Sequence, residues 1–410
     1  MLAKLPSLTI LLAAIPVAFA QELLGSDAGD LHIRFSKIAF PLDPNLYDSV
    51  LPLGPEDYPV RGDLANTLEE HSMAPSIMTS DDFEVKNVDL SGYIEAIGGY
   101  PSFPSSSDST KFWDEFMEVL DIQNARRSGT VSPADLNMVL PDIWTGKNLD
   151  QVAEAVHGEY PASHHVELVK TFLGEGVLID YKILPFRSKR DFIGLEVRLA
   201  DMMTWAFAAV VSTSMNGWMD GWMHTLSSQS HSLLTHYPQA PTNFLMKWSV
   251  GRPRPEEIAM QIENDIITAA DGVPVGVITA VKAMGLARAE DFTHYSEGSP
   301  QHPSWPAMHS ASSASSLWLA VVAELTPEQY CQALRTDYAV SFARTVAGVH
   351  YTTDNIAGLN LGQKVLADKL AAHLSKKYGA DPKAVQEKID SLSFDWNTFD
   401  PVTCTMGDKN

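Results

Sequence analysis

Three short segments, far apart in the chain, carry cationic and imidazole side chains that can act together only if the fold brings them to one place. The segments are Lys247–Pro255 (KWSVGRPRP), Pro303–His309 (PSWPAMH) and Ala343–Asp354 (ARTVAGVHYTTD). Fixed positive charges stabilise an oxyanion without reorganisation during a reaction, and arginine binds two oxygens at once. The chain is therefore predicted to fold so that these segments meet at an oxyanion site.

Each segment taken alone has an ordinary structural explanation. An Arg-Pro pair commonly marks a turn or the start of a helix, because proline fixes its own backbone angle and disfavours helix just before it. A single histidine beside an apolar helix is commonly a structural residue. Three such motifs in a fixed order are far more specific than any one of them. We therefore interpret them as one site.

The order and spacing resemble the superfamily that unites vanadium-dependent haloperoxidases with type 2 phosphatidic acid phosphatases. Its signature is Lys, six residues, Arg-Pro; then Pro-Ser-Gly-His; then Ser-Arg, five residues, His, three residues, Asp. The first and third parts have their matches at Lys247, Arg254, Arg344, His350 and Asp354. The resemblance covers the chain from about residue 200 onward. Only the second of two adjacent Arg-Pro pairs keeps the spacing, so the first arginine, Arg252, is interpreted as a flanking charge.

The middle motif departs from the signature. His309 is in place, but Ala307 and Met308 stand where the superfamily has serine and glycine, and Ala343 replaces the serine of the third motif. An alanine cannot offer a hydroxyl to an oxyanion oxygen, which costs about 1 to 3 kcal/mol if that oxygen is left without a donor. These departures keep open a third hypothesis, that of a non-catalytic oxyanion-binding relative.

The resemblance implies vanadate as the cofactor and a role for each matching residue. His350 is implied as the ligand of vanadium, and His309 is implied to handle the protons of hydrogen peroxide. Asp354 follows His350 by four residues, so it can reach the ring and fix its tautomer. The remaining implied residues are Lys247, Arg254, Met308 and Arg344, which would bind the cofactor, and a further catalytic histidine, His302.

Two reactions can use such a site. A haloperoxidase would oxidise bromide or iodide with hydrogen peroxide, and its partners would be peroxide, halide and small organic acceptors. An acid phosphatase would use His350 as nucleophile and His309 as the acid for the leaving group. His302, seven residues before His309, is similar to the histidine found at that offset in algal-type bromoperoxidases. The haloperoxidase is therefore the favoured hypothesis and the phosphatase its alternative.

The first 20 residues have the features of a secretory signal peptide. Lys4 precedes an apolar stretch that ends in Ala18-Phe19-Ala20, with small residues at the cleavage positions. The whole chain carries 29 basic and 51 acidic residues, for a formal charge of -22. Nucleic acid and anionic membranes bind basic surfaces, so neither is expected as a partner. We expect a secreted or periplasmic protein, and a homo-oligomer is compatible with the sequence.

The apolar periodicity predicts a mostly α fold with a loop-rich N-terminal portion, and the resemblance implies a helical bundle of the haloperoxidase and acid phosphatase type. We divide the chain into a signal peptide (1–20), the N-terminal portion (21–150), a helical catalytic domain (151–390) and a C-terminal tail (391–410). Segments Met308–Leu325 and Asn355–Leu374 are predicted helices. An apolar stripe from Met215 to Met223 is predicted to pack in the core.

Two local features leave alternatives open. Asn124–Asp135 has the outline of an EF-hand loop, but Arg126 occupies a ligand position, which favours a helix-loop-helix that binds no metal. The two cysteines, Cys331 and Cys404, are equally compatible with a disulfide bond and with two buried thiols.

Overall fold

The computed structural model describes residues 90–104, 109–156, 161–180, 182–184, 246–247, 250, 252–288, 291–295, 299, 303–313 and 315–407. Three sequence predictions lie outside these residues: the signal peptide at 1–20, the apolar stripe at 215–223 and the catalytic role of His302.

Helices dominate the described residues, of which 65% are helical and 2% are in strands, so the mostly α fold class is confirmed. The α-helices are α1 Leu90–Ala96, α2 Ser109–Ser128, α3 Leu149–Glu154, α4 Pro161–Gly174, α5 Pro255–Glu263, α6 Val275–Met284, α7 Met308–Ser313, α8 Ser315–Val322, α9 Pro327–Val346, α10 Thr352–Tyr378 and α11 Pro382–Leu392. Short 3-10 turns lie at Pro133–Leu136, Asp142–Trp144, Ala269–Asp271 and Trp396–Thr398. None of the described helices is both long and apolar enough to cross a membrane.

The two strands form a single antiparallel pair. β1 (Leu178–Ile179) pairs with β2 (Ala323–Glu324), so that Leu178 faces Glu324. The helix predicted over Met308–Leu325 is thus present as α7 and α8 and stops at Val322, where the chain turns into β2. The helix predicted over Asn355–Leu374 lies entirely within α10.

Helix α10 is the centre of the fold. It packs against α1, α7, α8, α9 and α11, and its buried face contributes leucine and valine side chains to the largest core cluster. Helix α9 starts at a capping box, in which Thr326 accepts from the backbone N–H of Gln329, with Pro327 as the first helical residue. The two long helices therefore hold the third motif, which spans the turn between them.

Helix α2, from the N-terminal portion, contributes to a second core cluster. Phe112 and Phe116 are fully buried and pack with Ile258 of α5, Val281 of α6 and Tyr351. The portion predicted as loop-rich therefore contributes a 20-residue helix to the body that holds the three motifs. Burial of such aromatic side chains is among the largest favourable contributions that a helix can make.

The segment with an EF-hand outline does not form a binding loop. Its first five residues are the end of α2, and a 3-10 turn follows at Pro133–Leu136. Arg126 donates to Oε1 of Gln123 at 3.0 Å and forms an ion pair with Asp150 at 3.3 Å. The arginine at this ligand position therefore joins α2 to the start of α3.

The C-terminal tail is attached to α9. A disulfide joins Cys331 to Cys404 across a Cα–Cα distance of 5.6 Å, which resolves the alternative that the sequence left open. Phe394, Trp396 and Phe399 pack together with Leu334 of α9. A cross-link that closes a loop of this length stabilises a fold by about 4 kcal/mol in the chain-entropy account.

Candidate active site

The first and second motifs are joined through the buried side chain of Lys247. Its Nζ donates to the carbonyl oxygens of Pro303 at 2.8 Å and Ser304 at 2.7 Å, and the side chain is fully buried. In return, the backbone N–H of Ser304 donates to the carbonyl of Arg252 at 2.9 Å. The ammonium group is thus held against the loop that precedes His309.

Arg254 joins the first motif to the third. It is the N-cap residue of α5, and its backbone N–H donates to Oε2 of Glu257 at 2.6 Å. Its Nη1 donates to the carbonyl of Val349 at 2.7 Å and lies 3.3 Å from Nε2 of His350. The proline after it starts the helix, as the Arg-Pro pattern indicates, while its guanidinium is buried beside the histidine.

His350 and Asp354 form the pair that their spacing predicts. Nδ1 of His350 lies 3.2 Å from Oδ2 of Asp354, which also accepts from the backbone N–H of Tyr351 at 3.1 Å. Asp354 lies in the first turn of α10, where a carboxylate is favoured by the helix dipole. Because a carboxylate only accepts, Nδ1 carries the proton in the neutral ring and the lone pair is on Nε2, beside Arg254.

The turn that carries His350 is fixed from outside the three motifs. Gln123 of α2 donates from Nε2 to the carbonyls of Thr345 and Val346, both at 3.1 Å, and so caps the end of α9. Gly348 has a φ of 81°, and a Cβ there would come 2.9 Å from Cδ of Gln123. The backbone just before the histidine therefore has little freedom to move.

Arg344 is a buried cation with spare hydrogen-bonding capacity. It is 2% exposed on α9, and Nη1 donates to the phenol oxygen of Tyr295. Its guanidinium also lies over the tyrosine ring, 5.2 Å from the centroid. Nε is buried and has no hydrogen-bond partner in the described part of the chain. Since a buried donor without an acceptor is costly, this geometry favours an anionic ligand beside Arg344.

The middle motif reaches the site through the start of α7. The N–H of Ala307 donates to the carbonyl of Asp354 at 2.9 Å, which links this motif to α10. Met308 is the first residue of α7, so its backbone is right-handed helical and the methionine that replaces glycine is not strained. His309 follows within the same turn and is partly exposed.

Charges from the first and third motifs act on His309. Burial, then Arg344, Arg254 and Lys247, hold the pKa of His309 well below its usual range. Burial, with Arg254 and Arg344, likewise holds the pKa of Lys247 well below its usual range, against the opposing effect of Asp354. Burial also lowers the pKa of Arg344. The structure therefore brings the side-chain groups of the five predicted residues to one positive region. These residues are Lys247, Arg254, Arg344, His309 and His350.

Arg252 is not the flanking charge that the sequence indicated. It is fully buried, and Nη1 donates to Oδ1 of Asp354 at 2.6 Å while Nη2 donates to Oε2 of Glu115 at 2.7 Å. Burial lowers the pKa of this guanidinium, but the two carboxylates more than offset that effect, so the pKa is raised. Tyr351 lies beneath it, with the ring centroid 4.1 Å from Cζ.

Tyr295 and Glu115 also contact the site and were not predicted as site residues from the sequence. Glu115 lies on α2, 137 residues before Arg252, and Tyr295 lies 49 residues before Arg344. Neither stands in a recognisable local motif. The short segment that contains Glu115 is amphipathic, which is typical of a helix and gives no indication of a site.

Two carboxyl groups beside Arg254 retain their protons unusually well. Glu256 is fully buried, and burial raises its pKa to about 8, although Ser299 donates to it from the backbone at 2.6 Å. Burial also raises the pKa of Glu257 to about 7. At neutral pH Glu256 is therefore mostly uncharged, and it adds little negative charge to the positive region.

Glu256→Gln is expected to make the protein less sensitive to alkaline pH. The folded protein retains the Glu256 proton up to about pH 8, whereas an ordinary carboxyl loses it near pH 4.5, so stability falls as pH rises between these values. Glutamine has no proton to lose. Between pH 5 and pH 8 the free energy of unfolding of the variant should therefore rise by on the order of 3 kcal/mol relative to that of the parent. Urea unfolding at both pH values measures this difference. Glu95→Gln, at an exposed position of α1, is the control, and parallel pH profiles for parent and Glu256→Gln would contradict the assignment.

Comparison with known families supports the motif assignment at the superfamily level. A model of the PAP2 superfamily matches residues 232–367, about a third of the chain, and this span includes all three motifs. The match supports the superfamily of phosphatases and haloperoxidases and does not distinguish the algal bromoperoxidase branch. No curated protein matches the chain.

Proposed function

We propose that this chain, with its PAP2 superfamily segment, is a secreted vanadate-dependent haloperoxidase that oxidises bromide or iodide with hydrogen peroxide to a hypohalous species. The observation that carries the proposal is the set of three buried cations, Lys247, Arg254 and Arg344, gathered around two histidines. Small organic molecules would accept the oxidised halogen.

The residues present fit vanadate. The buried Nε of Arg344 has no partner, and its charge is not paired with a carboxylate among the described residues, so an oxyanion would satisfy both. Arg254 and Lys247 would contribute further positive charge, and Nε2 of His350 would hold the metal. When bound, vanadate supplies a Lewis-acidic vanadium(V) centre that activates peroxide without changing oxidation state. Ala307 contributes no hydroxyl, so the cations carry more of the binding.

The protein's own groups divide the remaining work. Asp354 holds the proton on Nδ1 of His350 and so keeps Nε2 available as a ligand. His309 is neutral at neutral pH in the ligand-free protein, because burial and three cations lower its pKa. A neutral imidazole accepts a proton, as is needed when hydrogen peroxide reacts. A phosphatase would instead use a protonated His309 as the acid for its leaving group.

Export of the protein has independent support. The disulfide between Cys331 and Cys404 is of a kind that persists in oxidising compartments, and the first 20 residues have the pattern of a signal peptide. A secreted enzyme would also meet halide and peroxide outside the cell.

Adding orthovanadate to the purified, metal-free chain is expected to start peroxide-dependent bromination of a phenol dye. The same preparation should hydrolyse p-nitrophenyl phosphate slowly or not at all, and inorganic phosphate should compete with vanadate for the site. Vanadate should also raise the melting temperature, because a ligand at 100 times its Kd adds about 2.7 kcal/mol of stability.

His350→Ala is the control, since it removes the metal ligand and should abolish bromination at every vanadate concentration tested. Phosphate ester hydrolysis that vanadate inhibits, with no bromination, would overturn the proposal in favour of the phosphatase. Vanadate binding with neither activity would show a non-catalytic oxyanion-binding protein.

A further inference from the structure

A line of buried charged groups extends from His350 away from the oxyanion site. The line starts at Asp354, whose Oδ2 faces the histidine and whose Oδ1 accepts from Arg252. It continues from the other guanidinium nitrogen of Arg252 to Glu115 on α2. Arg252 and Asp354 are fully buried, and Glu115 is 9% exposed. The four groups alternate as imidazole, carboxylate, guanidinium and carboxylate.

Two hydroxyl groups hold the outer end of this line. Thr353 donates to Oε2 of Glu115 at 2.5 Å and accepts from Nη1 of Arg252 at 2.9 Å. Ser102 donates to Oε1 of Glu115 at 3.2 Å and accepts from Nη2 of Arg252 at 3.2 Å. Both ends of the guanidinium fork are therefore occupied by two acceptors each. Such a bidentate, fully buried arrangement allows one orientation of the arginine.

We propose that Arg252 and Glu115 are positioning residues that fix the carboxylate of Asp354 and, through it, the ring of His350. This inference rests on the proposed function, in which Nε2 of His350 is the metal ligand. Asp354 has one oxygen for Arg252 and the other for His350 and the backbone of Tyr351, so it cannot rotate without breaking both sets of contacts. The partner of a ligating histidine sets the orientation and tautomer of its ring. A helix outside the three motifs thereby contributes to the site.

The geometry connects this ion pair to the site, because Arg252 binds the same carboxylate that contacts His350. Arg252 also makes none of the contacts to Val349 and His350 that Arg254 makes, although the two arginines are only two residues apart. The chain therefore uses one arginine for the oxyanion site and its neighbour for the support behind it.

Glu115→Gln tests the inference with little change in shape. The amide still accepts a hydrogen bond from Arg252 but carries no charge, so Asp354 becomes the only carboxylate that holds the guanidinium. We expect inorganic phosphate to bind the vanadate-free variant about 10-fold more weakly than the parent, the lower end of the loss that follows removal of supporting groups around a metal ligand. Calorimetric titration measures the affinity. Bromination by the vanadate-loaded variant should fall by a similar factor.

Two-bond proton–nitrogen NMR spectra of histidine-labelled protein report the tautomer of His350. That tautomer would not change if Glu115 only stabilised the fold. The parent should show the His350 ring with its proton on Nδ1, assigned by loss of that signal in His350→Gln. Glu115→Gln should show a mixture of tautomers or a broadened signal. Glu115→Asp, whose carboxylate is one methylene shorter, should recover less than half of the lost affinity.

Glu118→Gln is the matched control. Glu118 lies one turn along α2, is exposed, and contacts Thr352 at 3.0 Å without contacting Arg252. It should retain parental phosphate affinity and the parental His350 spectrum. If Glu115→Gln does not fold, Thr353→Val can replace it, because it removes one contact to Arg252 and one to Glu115. It should also weaken phosphate binding and alter the His350 spectrum.

Parental affinity and an unchanged His350 spectrum in a folded Glu115→Gln variant would overturn the positioning inference. Neither readout requires catalysis. A parent that binds phosphate with a fixed His350 tautomer but does not brominate would therefore count against the haloperoxidase proposal alone.

Discussion

Arg344→Met is expected to lower the affinity for vanadate or phosphate about 30-fold or more without lowering the stability of the ligand-free protein. Arg344 is a buried cation that donates to a tyrosine hydroxyl, and its Nε has no partner among the described residues. An isolated buried charge costs several kcal/mol, and replacing buried ionic groups with apolar side chains of similar size is often neutral or stabilising. Loss of a buried, hydrogen-bonded charge from a ligand site typically costs 2 to 5 kcal/mol of binding.

Calorimetric titration with phosphate and urea unfolding of the same preparation measure the two effects separately. Arg335→Met is the matched control, because Arg335 lies on the same helix and donates instead to the carbonyls of Pro401 and Val402 in the C-terminal tail. Its oxyanion affinity should equal that of the parent. If Arg344→Met bound phosphate normally, the oxyanion site would have to lie elsewhere.

Lys247 is less suited to this experiment. Its Nζ donates to two backbone carbonyls of the middle motif, so its removal would also take away the hydrogen bonds that hold the loop before His309. A loss of binding in such a variant would not distinguish charge from fold.

Gly358→Ala is expected to destabilise the protein by about 3 kcal/mol or more, because α7 and α10 touch at this glycine. A Cβ on Gly358 would lie 2.3 Å from the carbonyl oxygen of Ala307 and 2.7 Å from Cβ of Ser310. The first of these atoms is backbone and cannot turn aside. The helices would have to separate, and His309, which lies between these two residues, would move with α7 and weaken oxyanion binding.

Thermal and urea unfolding measure this effect. Gly276→Ala provides the control: that glycine lies in α6 with no atom within 4 Å of a Cβ, so alanine should be neutral or stabilising by up to about 1 kcal/mol. A melting temperature for Gly358→Ala within a degree of the parent would contradict the close helix contact.

Short-range patterns in the sequence were sufficient to predict several parts of the site. The spacing of His350 and Asp354 predicted their contact, since residues four apart meet on one face of a helical turn. The Arg-Pro pair predicted the start of α5. The resemblance to the superfamily signature implied that Arg254 and His350 belong to one site, and they lie 3.3 Å apart.

Contacts between distant segments could not be predicted in the same way. The acidic residue that pairs with Arg252 is on α2, and nothing near either residue distinguishes Glu115 from Glu118, the other glutamate of that helix. The pairing of Tyr295 with Arg344 is equally remote. Such contacts depend on how whole helices pack, and packing is determined by the complete set of buried side chains. The end of α8 at Val322 likewise depends on pairing with a strand more than 140 residues earlier in the chain.

The burial of α2 determines which fragments of this protein are suitable for expression. A fragment limited to residues 232–367 would retain every signature residue, yet it would lack the aromatic side chains of α2 that cover α5 and α6 and the glutamine that caps α9. It would expose a large apolar surface and is a poor choice for autonomous folding. The smallest unit worth expressing extends from before Leu90 to beyond Cys404.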